Sequence, residues 1–140
     1  MSRRSLLMAG AVAIAGIAAR LYVSTLGYTQ DLPYWQAIVA EYHRAGAQAM
    51  MAAYAMHQGP VFGYIGVAIS SLPIPFGTGI AAACTVIDLG VAVVLWRWLG
   101  LLPAALFFLS PISIIVSGYQ RIPEGLAVGL GLCAVLLLEE

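Results

Sequence analysis

The sequence predicts an all-α, polytopic membrane protein, and three observations carry that reading. Hydrophobic residues fill 62% of the 140 positions and charged residues only 9%, whereas a soluble domain carries about 25% charged residues. Mean hydropathy is +0.95. The apolar residues fall in runs of helical length separated by Pro, Gly and a few polar positions, the pattern of consecutive membrane spans. Formal net charge is zero, and without a basic patch nucleic-acid binding drops out.

Two arginines precede an apolar run from Leu6 to Leu26 that is interrupted by Arg20 and a few small polar residues. About 20 apolar residues exceed the usual signal-peptide core of about 7 to 15, so a retained first span over 6–26 is expected, with its N-terminus in the cytoplasm. Arg20 lies in the outer part of that span. There it either snorkels to the far interface or pairs with a carboxylate or a lipid phosphate.

Residues 28–59 form the longest stretch unsuited to lipid and are expected as an extracytoplasmic loop. From Pro33 onward, Tyr34, Trp35, Ile38, Val39 and Tyr42 share one helical face while Gln36, Glu41, His43 and Arg44 take the other. An apolar face ending in Tyr and Trp suits a helix lying in the headgroup plane. Asp31, just before it, reads as an N-cap that accepts a backbone N–H and complements the helix dipole. Held at the membrane surface with access to water, it reads equally as a carboxylate able to act on the headgroup of a lipid-linked substrate.

Four more spans are expected, over 60–76, 79–98, 101–117 and 123–138, all within a single membrane domain, 1–140. Pro60 sits where a helix can start, and Pro73, Pro75 and Gly77 end a segment short enough to need tilt. The third span carries Asp88 near its middle and ends in Trp96-Arg97-Trp98. An intramembrane carboxylate is a functional hypothesis by default, unless it serves to pair with Arg20. Ser110-Pro111 interrupts the fourth span; the fifth begins at Glu124, and the abrupt Glu139-Glu140 end leads us to expect an N-terminal portion of a longer protein with further membrane helices. By alternation the 28–59 loop and Arg97 face outward, and Pro73–Gly77 and Arg121 face inward. Cys84 and Cys133 sit in apolar runs without neighbouring ligand residues, as small hydrophobes do. The sequence has no Walker loop, H-E-x-x-H, Cys/His metal spacing or nucleophile elbow.

Several segments, in order, resemble the N-terminal part of the GT-C superfamily of polytopic glycosyltransferases, which use polyprenyl-phosphate sugars. Arg20-Leu21 at the end of the first helix, followed by Asp31, Tyr34 and a surface helix reaching Gly46, resembles their first extracytoplasmic loop. His57-Gln58-Gly59-Pro60 with Phe62 and Tyr64 resembles the entry to their second helix. Val86-Ile87-Asp88-Leu89-Gly90 with Leu95-Trp96-Arg97 resembles an Ala-Asp-Leu helix and its basic end. Ser110-Pro111-Ile112-Ser113 and Ser117-Gly118-Tyr119-Gln120 resemble an Asn-Pro-x-x and Gly-Tyr-His stretch, with Glu124 near an acidic position. Ser110 stands where Asn is common.

The resemblance implies a hexosyltransferase in a cell membrane, a bacterial inner membrane by expectation, that moves a sugar from a polyprenyl-phosphate donor to an acceptor at the outer face. It makes Asp31 the catalytic base toward the acceptor hydroxyl, with Arg44, His57 or Arg97 stabilising the leaving lipid phosphate. A divalent metal stays open as a cofactor, because some relatives carry paired acidic residues where Asp31 is followed by Leu32 and Pro33. The alternative class is a non-catalytic polytopic protein, a transporter fragment or an interaction scaffold; a transporter carries its polar residues near the bilayer midplane on broken helices.

Overall fold

The computed structural model describes residues 3–29, 31–53, 60–122 and 124–138, and among them every regular element is helical. The elements are α1 (Arg3–Ser24), α2 (Asp31–Ala53), α3 (Pro60–Ser70), α4 (Phe76–Leu99), α5 (Leu101–Phe108), α6 (Pro111–Ile114), a π-helical turn (Ile115–Gln120) and α7 (Glu124–Leu138). Two of them, α1 and α4, are long and apolar enough to cross a membrane, and α5 with Pro111–Gln120 makes a third candidate bent by 49°. The bend falls at Ser110-Pro111. Proline has no N–H to give, and the amide of Ser110 turns to the carbonyl of Phe107 at 3.2 Å.

α1 and α4 are antiparallel neighbours. Asp88 meets Arg20 half-way along, and Leu6, Ala9 and Gly10 share a cavity wall with Val93, Trp96 and Leu101 near the other end. The π-helical turn packs on both. Gly118 allows that approach, since a Cβ there would stand 2.8 Å from the Arg20 carbonyl, and the C-terminal side of the turn closes on Arg121 in the left-handed conformation, φ 62°. α7 packs along α4.

α2 and α3 form a hairpin whose apolar faces meet each other and α4. Trp35 is 2% exposed and stands edge-on to Phe62 at 6.1 Å, in a cluster with Ile69, Ile80 and Cys84. The amphipathic periodicity read from the sequence is real, but its apolar face is spent differently. Trp35, Ile38 and Val39 are buried against protein rather than laid on lipid, while His43 and Arg44 stay exposed. Gly46, with φ 84°, breaks α2.

One placement departs from the alternation expected above. α3 has 11 residues, about 16 Å of helix, against about 30 Å of hydrocarbon. It ends beside the start of α4, with Ile69 against Gly79. The start of α4 in turn lies at the C-terminal end of α1: Leu32 and Arg121 both approach Gly77, and Arg121 bonds the carbonyls of Ser24 and Gly27 at 3.1 Å each. Residues 24–29 and 31–35, the 75–77 segment and Arg121 therefore share one end of the bundle. Arg97, in the last turn of α4, lies at the other.

Candidate functional site

Two polar centres emerge, one inside the bundle and one at its end. The inner centre is built on Arg20, which is fully buried. One guanidinium nitrogen, Nη2, donates to Asp88 Oδ2 at 3.0 Å and to Ser113 Oγ at 2.6 Å. The other, Nη1, donates to the carbonyl of Phe108 at 2.8 Å and to that of Gly16 at 3.2 Å. Its Cζ also lies over the Phe108 ring at 4.2 Å. Asp88 Oδ2 further accepts the hydroxyls of Ser113, at 3.1 Å, and of Ser117.

This is a neutralised pair with hydrogen bonds on both members, the condition under which a buried ion pair is tolerated. The sequence left Arg20 two options, and the structure selects pairing over snorkelling. The carbonyl of Phe108 is free to accept because the helix stops there, so the Ser110-Pro111 break supplies part of the pocket. On the far side of Asp88 a cavity of about 330 Å³ opens among Ser110, Ser113, Ser117, Phe107 and Val128.

The end centre holds Asp31. It is the first residue of α2, half-buried, and its Oδ2 accepts the Thr29 hydroxyl at 2.5 Å. Thr29 Oγ1 lies also 3.4 Å from the carbonyl of Gln120, next to Arg121, and the Trp35 indole donates to the Arg121 carbonyl at 3.2 Å. Residues some 90 positions apart in the chain are thus tied into one rim around the start of α2.

Of the cations expected to serve Asp31, the two that are described, Arg44 and Arg97, lie elsewhere. Arg44 lies 13 positions along α2, about 20 Å of helix, is exposed, and pairs with Glu41 at 2.5 and 2.9 Å. That hydrogen bond holds the Glu41 carboxyl below its ordinary value and the Arg44 guanidinium above. Arg97 is exposed at the opposite end of α4. His57 lies outside the described residues. The cation that does share the end with Asp31 is Arg121, which alternation had assigned to the other side. Its signal in the sequence was the shortness of the apolar run after Pro60, too brief for an upright crossing, which removes one reversal of direction. Thr29 carried no signal of its own.

Among the described residues no three His, Cys, Asp or Glu side chains converge as metal ligands. Cys84 is buried and unpaired in the α3–α4 core, as the apolar setting of its sequence implied. Set against known protein families, characterised proteins and solved structures, the chain matches none of them.

Proposed function

We propose that the chain is the N-terminal portion of a membrane glycosyltransferase that moves a sugar from a polyprenyl-phosphate donor to an acceptor hydroxyl at the outer face of a cell membrane. The observation that carries the reading is Asp31: a half-buried carboxylate at the end of an apolar helix, oriented by Thr29 and in no ion pair among the described residues. A carboxylate so held is fit to take the acceptor proton, a role worth typically 10²- to 10⁴-fold. Exposed Tyr22, Tyr28 and Tyr34 around it suit a headgroup-level rim. In this reading the outer face is the end that carries Asp31, and Arg97 and Arg44 have no part in the chemistry.

The test is sugar transfer. Membranes containing the protein are supplied with a labelled polyprenyl-phosphate hexose, and Asp31→Asn lowers product formation by about two orders of magnitude or more with insertion and melting unchanged. Transfer by the Asn variant at the parental rate would leave Asp31 as a helix start and remove the reading.

A second reading is favoured by a separate observation. Asp88, the partner of Arg20, lines one half-open cavity together with three serines at a helix break, the arrangement on which transporters build their sites. Under it, Asp88→Asn abolishes solute uptake into vesicles while Asp31→Asn leaves it unchanged, the reverse of the first reading.

A further inference from the structure

We infer that the first turn of α4 and the side chain of Arg121 together form a binding site for a phosphoryl anion, supplied by a lipid headgroup or by free phosphate. The inference goes beyond the sugar-transfer reading and does not depend on it, since it names a ligand and no reaction.

α4 is 24 residues long, and Pro75 before it offers no side-chain cap. The first amide with an intrahelical partner is that of Gly79, which donates to the carbonyl of Pro75 at 3.0 Å. The amides of Phe76, Gly77 and Thr78 precede it, so this end presents donors and the positive pole of the helix. Such an end alone binds nothing in particular. Here a second cation is set against it.

Arg121 is 4% exposed, and its Cζ lies 3.6 Å from the point where a Cβ on Gly77 would stand. Its Nη2 is used by the carbonyls of Ser24 and Gly27; its Nε and Nη1 are buried with no hydrogen-bond partner. Burial lowers its pKa, and the groups acting the other way are Cys84, Tyr28 and Tyr119, none of them a carboxylate. A guanidinium stays protonated at any physiological pH, so a buried charge sits beside the positive end of a long helix with no counter-ion among the described residues. A charge buried without its counter-charge is costly, and an anion between the two positive groups offsets that cost.

Phosphate fits the donor set. Its oxygens accept charge-assisted hydrogen bonds from Arg121 Nε or Nη1, each singly because these two nitrogens lie on different edges of the guanidinium, and from the converging amides of a helix start. A Cβ at Gly77 would stand 3.1 Å from Leu32 Cδ2 and 3.6 Å from Arg121 Cζ, so glycine keeps a methyl group off the guanidinium, and the Thr78 side chain beside it is exposed. Tyr28 is 58% exposed and its ring lies 5.7 Å from Arg121 Cζ, so it is the group a headgroup moves aside on entry.

The experiment measures melting of the detergent-purified protein in titrations with inorganic phosphate, with short-chain phosphatidylglycerol, and with diacylglycerol of the same chain length. Phosphatidylglycerol raises the melting temperature saturably and diacylglycerol does not; if inorganic phosphate acts equally, the source is free phosphate, and if it does not, the source is a headgroup. Arg121→Gln weakens apparent affinity at least tenfold. Because that variant also loses the bonds to Ser24 and Gly27, Gly77→Ala provides the second test: it keeps every charge and both carbonyl bonds, places a methyl group 3.1 Å from Leu32 Cδ2 and 3.6 Å from Arg121 Cζ, and weakens affinity similarly when each titration is read against the variant's own ligand-free melting temperature. Equal stabilisation by diacylglycerol, no stabilisation by either phosphate source, or parental affinity in both variants would each overturn the site.

Discussion

Arg20 and Arg121 are both buried arginines, and they are held in opposite ways. Arg20 has a carboxylate, a serine and two carbonyls around its two Nη groups. Arg121 has two carbonyls at the C-terminal end of α1 on one nitrogen and no partner among the described residues on the other two. In the first, cation and carboxylate neutralise each other and only Arg20 Nε is left without a partner, so its worth is structural; the second caps a helix and keeps two nitrogens in reserve. Burial of a charge therefore says little by itself about function. What distinguishes a structural cation from one waiting for a ligand is whether the protein supplies its counter-charge.

The largest expected effect lies in the neutralised pair. Arg20→Met leaves Asp88 buried beside two serines without a cation, and Asp88→Leu leaves Arg20 without an anion; each lowers stability by about 3 to 5 kcal/mol. The double variant recovers most of the loss, because an apolar pair has no charge to strand. Reversible unfolding in mixed micelles measures all three, and single variants as stable as the parent would make the pair ornamental. Arg121→Met, by contrast, loses two carbonyl bonds, worth about 1 to 2 kcal/mol, but strands no carboxylate and removes a buried charge that no described residue neutralises, so its net cost is smaller than that of Arg20→Met. A larger loss than that of Arg20→Met would invert the comparison.

The comparison also depends on Arg121 and Asp31 sharing an end. Single cysteines at Thr25, Thr78 and Trp98, all exposed positions, in a background lacking Cys84 and Cys133, decide it with an impermeant thiol reagent on intact cells. Thr25→Cys and Thr78→Cys react from the same side and Trp98→Cys from the other. Five alternating spans require the opposite grouping, Thr25 with Trp98. The smallest effect belongs to the exposed pair on α2. Glu41 is held below its ordinary pKa by Arg44, so its contribution is present at neutral pH and is lost as pH falls through the lowered value. Since both groups are solvated, Arg44→Ala leaves the neutral-pH melting temperature unchanged and returns the Glu41 titration upward.

Much of this was legible in the residue order. Composition and run length give an all-helical chain with α1 and α4 as membrane-length helices, since hydrophobicity is a local property that needs no partner to be read. Periodicity gives α2 its two faces, and Pro111 gives the break after α5. Asp88 and Arg20 were visible as intramembrane charges because each is costly in lipid alone.

What only the tertiary structure decided is who meets whom. A helix pattern specifies an apolar face but not whether lipid or protein covers it, and Trp35, Ile38 and Val39 are covered by α3 and α4. Alternation assumes that every apolar run crosses and sets Pro73–Gly77 and Arg121 opposite the 28–59 loop; the 11 residues of α3 end beside the start of α4, which brings Gly77 and Arg121 to the Asp31 end of the bundle and leaves Arg97 at the other. The sequence alone determined which residues cannot face lipid unaided. Their partners were fixed by chain direction, which no local pattern encodes: Asp88 for Arg20, the end of α1 for Arg121, and Thr29 for Asp31.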